Sequence, residues 1–86
     1  MKLFCIKHIM NRPKRLIFYK KLEKLGIKRN MPLSLDYHYD VITPQRTIVT
    51  VSFDQLDIEM FGKEHEVYEA RNEKEFFELI NKYILN

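Results

Sequence analysis

"SLDYHYDVITPQRTIVTVSFD", residues 34–54, is the stretch whose reading decides the fold. Residues 34–42 and 46–54 each alternate apolar and polar side chains, the period of a half-buried β-strand. Leu35, Tyr37, Tyr39 and Val41 share one face of the first block, and Thr47, Val49, Val51 and Phe53 one face of the second. Thr43-Pro44-Gln45 supplies the turn between them. Both apolar sets stay on one face only if odd positions pair with odd positions. A three-residue loop then sets Ile42 opposite Arg46, His38 opposite Thr50 and Asp36 opposite Ser52.

Upstream, "NRPKRLIFYKKLEKLGI" (11–27) predicts a helix over 13–25. Pro13 suits a first turn, where its missing N–H costs nothing. Leu16, Tyr19, Leu22 and Leu25, with Ile17 and Phe18 beside them, recur at helical spacing as an apolar stripe. Gly26 fits the left-handed position after the last turn, and Ile27 can fold back onto it. Residues 3–10, opening on an apolar run, read as a first strand in competition with a short helix, the strand favoured. Downstream, "DIEMFGKEHEVYEA" (57–70) reads as a second hairpin around Gly62-Lys63, ahead of a short helix ending at Gly62. Asn72 and Glu75 form a capping box for a helix over 73–84, with Phe76, Phe77, Ile80, Tyr83 and Ile84 as its buried stripe. The expectation is an α+β fold: a small antiparallel sheet of three to five strands with both helices packed on one face.

The 86 residues make one domain, 1–86, with a thin core, since a chain this short buries about 60–65% of its unfolded surface. The single Cys5 cannot form an internal disulfide and reads as a buried thiol. Lys2 precedes only four apolar residues before Lys7 and His8, which is short of a signal-peptide core. No stretch approaches the ~20 apolar residues of a membrane span. The expected location is cytoplasmic. The Lys, Ile, Asn, Phe and Tyr bias suggests an AT-rich bacterial or phage genome.

Three acid/base or metal-ligating side chains, Asp36, His38 and Asp40, alternate along the first strand. Positions i and i+2 of a strand lie about 6.6 Å apart and i to i+4 about 13 Å, so one metal reaches two of them but not all three. The favoured reading is the polar side of a half-buried strand, without metal or other cofactor. No phosphate-binding glycine loop or Cys/His metal spacing occurs, and enzyme activity is the minority reading.

One resemblance bears on His38. "KKLEKLGI" (20–27), a strand carrying a histidine, and "RTIVTVSF" (46–53) together resemble, over about forty residues, the HicA-type toxin ribonucleases of double-stranded-RNA-binding fold. The resemblance implies a ribonuclease with His38 at the position of the family's strand histidine. That family has a Gly-Ser pair before the histidine, where this chain has Asp36-Tyr37.

Charge is the stronger signal. Residues 1–31 hold ten Lys and Arg against the single acid Glu23, a net of +9; residues 32–86 hold five basic against eleven acidic residues, a net of −6. Lys14, Arg15, Lys20, Lys21, Lys24, Lys28 and Arg29 fall on or just after the first helix, placed to contact phosphates of nucleic acid or a nucleoprotein without reading bases. Asp54, Asp57, Glu59, Glu64, Glu66 and Glu69 form an acidic counterpart that would suit an inhibitor or adaptor docking on a basic protein target. The opposite halves also suit a homodimer. A membrane-surface role fits less well, because so small a core needs the helix's apolar face.

Overall fold

The apolar run at the N-terminal end forms strand β1 (Leu3–Lys7), and it lies in the middle of the sheet. The computed structural model describes residues 3–29, 37–43, 45, 47–54 and 65–85. After β1 come helix α1 (Arg12–Lys24), strands β2 (His38–Ile42), β3 (Ile48–Ser52) and β4 (His65–Glu69), and helix α2 (Glu73–Ile80). Residues Asn81–Leu85 extend α2 as a wider π-helical turn.

The four strands lie in the order β2-β3-β1-β4. β2 and β3 run antiparallel, but β1 is parallel to both of its neighbours. The α+β class with two helices on a small sheet holds. The sheet is mixed, not antiparallel throughout. The reason is visible in β3, which is buried on both faces, a requirement of strands inside a parallel arrangement. The expected second hairpin, and the competing helix, fall mainly on residues 55–64, outside the described residues. β4 itself pairs with β1 in parallel.

The β2–β3 register also differs from the expected one. His38 stands opposite Ser52, Asp40 opposite Thr50, and Ile42 opposite Ile48. The pairing closes on Thr43 and Thr47: the Thr43 N–H donates to the Thr47 carbonyl (2.9 Å), and the Thr47 N–H donates to the Thr43 hydroxyl (3.1 Å). This side-chain bond moves the pairs by two positions. Because the shift is even, odd residues still face odd residues, and Val49, Val51 and Phe53 remain in the core.

α1 is bounded as its sequence dictates. The Asn11 side chain accepts from the Lys14 N–H (3.2 Å), and Pro13 lies in the first turn. At the other end Gly26 takes φ +86°, its N–H donates to Glu23 (2.9 Å), and the Ile27 N–H reaches back to Leu22 (3.1 Å). That pair of bonds is a Schellman cap, and buried Ile27 closes it. α2 starts at Asn72, whose side chain accepts from the Glu75 N–H (2.9 Å). Glu75 returns the bond one residue earlier than a strict capping box, to the Arg71 N–H (2.8 Å).

Phe18, Tyr19 and Leu22 of α1 meet Phe76 and Ile80 of α2 over Ile6, Val49, Val51 and Phe53 of the sheet side. Offset and edge-on aromatic contacts knit this layer, with Phe18–Phe76 at 5.3 Å, Tyr19–Phe53 at 5.4 Å and Phe53–Phe76 at 5.8 Å between centroids. The buried arc of α1 therefore centres on Phe18, Tyr19 and Leu22, while Ile17 and Leu25 of the expected stripe are exposed.

Candidate nucleic-acid interface

The expected basic cluster divides into two groups. Three of its members serve the fold. Arg15 donates to the Met10 carbonyl (3.3 Å), Arg29 lies over the Tyr19 ring at 4.5 Å, and Lys21 pairs with Glu73 at the start of α2. The other four, Lys14, Lys20, Lys24 and Lys28, are exposed and form no ion pair among the described residues. Lys14, Lys21 and Lys24 recur at i, i+7 and i+10 along one side of α1, and Lys20 stands beside them. The nearest acid on this segment is Glu23, itself exposed.

Beside these lysines, α1 and α2 border an open channel made of two surface clefts that share Lys21. Its upper part, about 470 Å³, lies at the carboxyl ends of β1 and β4 and is lined by His8, Ile9, Lys14, Ile17, Lys21 and Arg71 among others. Its lower part, about 480 Å³, is lined by Lys21, Lys24, Leu25, Phe77, Asn81 and Leu85. His8, which was not among the residues expected to form a site, is fixed there: its Nδ1 lies 3.1 Å from the Ala70 carbonyl, and its ring sits 5.6 Å from both Phe18 and Phe76. A carbonyl only accepts, so Nδ1 is the donor in that contact. The signal for His8 was its place directly after a buried strand, which carries weight only once that strand is known to be parallel.

His38 belongs to a different site. Together with Ser52, Lys7 and Glu69 it stands in one row across all four strands, on the sheet face away from the helices. Neighbouring strands lie about 4.8 Å apart, so these side chains are adjacent. Lys7 Nζ is 4.0 Å from the Glu69 carboxylate, and the next row holds the 2.7 Å bond from the Thr50 hydroxyl to Asp40. Asp40 is exposed and His38 half-buried, in line with a polar strand face, but their neighbours are covered: Ser52 is 0% exposed, Thr50 2% and Lys7 4%. A serine beside a lysine suggests a nucleophile. Ser52 has no accessible surface on which to meet a substrate, and with Lys7 it forms buried polar packing between half-buried His38 and exposed Glu69.

Among the described residues no three His, Cys, Asp or Glu converge as a metal site, and Asp36 lies outside them. Of the acidic cluster, Asp57, Glu59 and Glu64 also lie outside. Asp54 is half-buried, Glu69 faces Lys7, and Glu66 accepts from the Tyr68 hydroxyl, which raises the phenol pKa. Cys5 is a buried thiol, as expected. No described helix is long and apolar enough to cross a membrane.

Comparison with known proteins yields no matching family model, no matching curated protein and no matching solved structure. The toxin-ribonuclease resemblance therefore has no family match behind it; His38 is half-buried against Tyr37, 4.8 Å between rings.

Proposed function

We propose that this is a small, non-enzymatic nucleic-acid-binding protein that grips phosphates with the exposed face of α1. One observation carries the reading: Lys14, Lys20, Lys24 and Lys28 are held on or just after a capped helix, exposed and without internal ion pairs among the described residues. Cations so placed neutralise phosphates and release condensed counterions. They carry no base code, so binding tolerates sequence changes. Lys21 contributes less, because Glu73 already neutralises it.

The test is the salt dependence of binding. Replacing Lys20, Lys24 and Lys28 with Gln keeps the fold, as all three are exposed and Gln is a fair helix former. The slope of log K against log salt should flatten by about two to three, since each phosphate no longer neutralised removes roughly 0.7–0.9 from it. An unchanged slope in that triple variant, or no binding at low salt by the unaltered protein, would sink the reading.

A further inference from the structure

The lysines share their surface with apolar side chains that the core leaves out. Ile9, Ile17, Leu25 and Leu85 are 49%, 53%, 44% and 41% exposed, and all four line the channel between α1 and α2. The channel's two parts meet at Lys21, which lines both. Phe77 contributes a half-buried ring to the lower part, stacked at 5.7 Å on Phe18. Two apolar patches, parted by the Lys21–Glu73 pair and edged by exposed lysines, fit a ligand that is apolar and negatively charged along the same edge.

A duplex does not present such an edge. Its phosphates face outward and its bases are stacked inside, so Ile17 and Leu25 would meet only the sugar-phosphate backbone. A single strand turns its base faces out while keeping its phosphates. We infer that the α1–α2 channel binds single-stranded nucleic acid, with bases laid on Ile17, Leu25 and Phe77 and phosphates on Lys14 and Lys24. This rests on the nucleic-acid reading above and names the strand class that it takes. Ile17 and Leu25 are eight residues apart, about 12 Å along the helix, so more than one base can lie along this face.

Fluorescence anisotropy at low salt tests the assignment with three labelled probes: a twelve-nucleotide thymidine strand, the duplex it forms with its complement, and an abasic strand of the same length and charge. The thymidine strand should bind at least tenfold tighter than either of the others. The Ile17→Gln, Leu25→Gln double variant should lose that preference, binding thymidine and abasic strands within about twofold, with its salt slope unchanged. Both positions are exposed, and an unaltered thermal midpoint verifies the fold. Equal binding of thymidine and abasic strands by the unaltered protein overturns the base platform while leaving the lysine–phosphate reading intact. A preference that survives in the double variant overturns the named residues. If no strand binds, but a fourteen-residue amphipathic helix of Leu and Glu does and its scrambled form does not, both readings fall. The channel is then a protein-docking groove.

Discussion

α1 and α2 sit side by side on the same sheet face, yet they spend their apolar residues differently. α2 and its π-helical extension bury Phe76, Ile80 and Ile84 and half-bury Phe77, Leu79 and Tyr83. Within α2 proper, Glu73–Ile80, no large apolar side chain is left exposed. α1 buries Phe18, Tyr19 and Leu22 and leaves Ile17 in water, with Leu25 exposed at its cap. Their charges differ in the same sense. α2 carries Glu73, Glu75 and Glu78 against Lys74, whereas α1 leaves three exposed lysines unpaired among the described residues. One helix is occupied with holding the fold. The other holds it with one side and leaves the opposite side exposed.

The contrast is sharpest where truncation removes core packing. Ile80→Ala should cost about 2–5 kcal/mol, because Ile80 is wholly buried against the sheet. Chemical denaturation measures it, and a loss under about half a kcal/mol would mean that α2 is not the structural helix. Next is Gly26→Ala. Nothing lies within 4 Å of the added carbon, so the cost is conformational only, about 1–2 kcal/mol for holding an L-residue at φ +86°. Asn72→Ala should cost about 1 kcal/mol through loss of the α2 cap. The same denaturation curves measure both.

Glu75 gives a pH-dependent version of the same test. The Arg71 backbone N–H, then its side chain, hold the Glu75 carboxyl below its ordinary value of 4.5. A depressed carboxyl stabilises fully above about 4.5 and loses that contribution as the pH falls through its lowered value. The gap in thermal midpoint between the unaltered protein and Glu75→Gln should therefore shrink from pH 7 to pH 3. A gap that is constant with pH would remove Glu75 from the account of the cap. The smallest effect belongs to α1: Ile17→Ala should stay within about half a kcal/mol, since its side chain is already in water.

Both helices were legible in the sequence because their signals are local. Asn72 and Glu75 are three residues apart, and Gly26 with Ile27 writes the end of α1 directly into the chain. The strand directions were not legible. Alternation in residues 46–54 reports which side of a strand is apolar, but not which strand lies beside it. The Thr and Ser residues of β3 looked like a wet face, yet small hydroxyls also fit a covered one, as Thr50 does by donating to Asp40. Of the basic cluster, charge identified the segment. Only tertiary neighbours, Glu73 for Lys21 and Tyr19 for Arg29, separated the structural cations from the rest.

The central position of β1 has a consequence in time. Its neighbours in the sheet, β3 and β4, come from far along the chain, and the bond from His8 to Ala70 spans 62 positions. Pairing strands so far apart in sequence, and in parallel, is slow compared with winding a helix, which takes on the order of a microsecond. α1 and α2 can therefore flicker into shape early while β1 waits with both edges open. Until β4 arrives, those edges offer unpaired N–H and C=O groups to any other extended chain nearby. Variants that delay the β1–β4 pairing should form aggregates during refolding before they show any loss of equilibrium stability, in proportion to protein concentration.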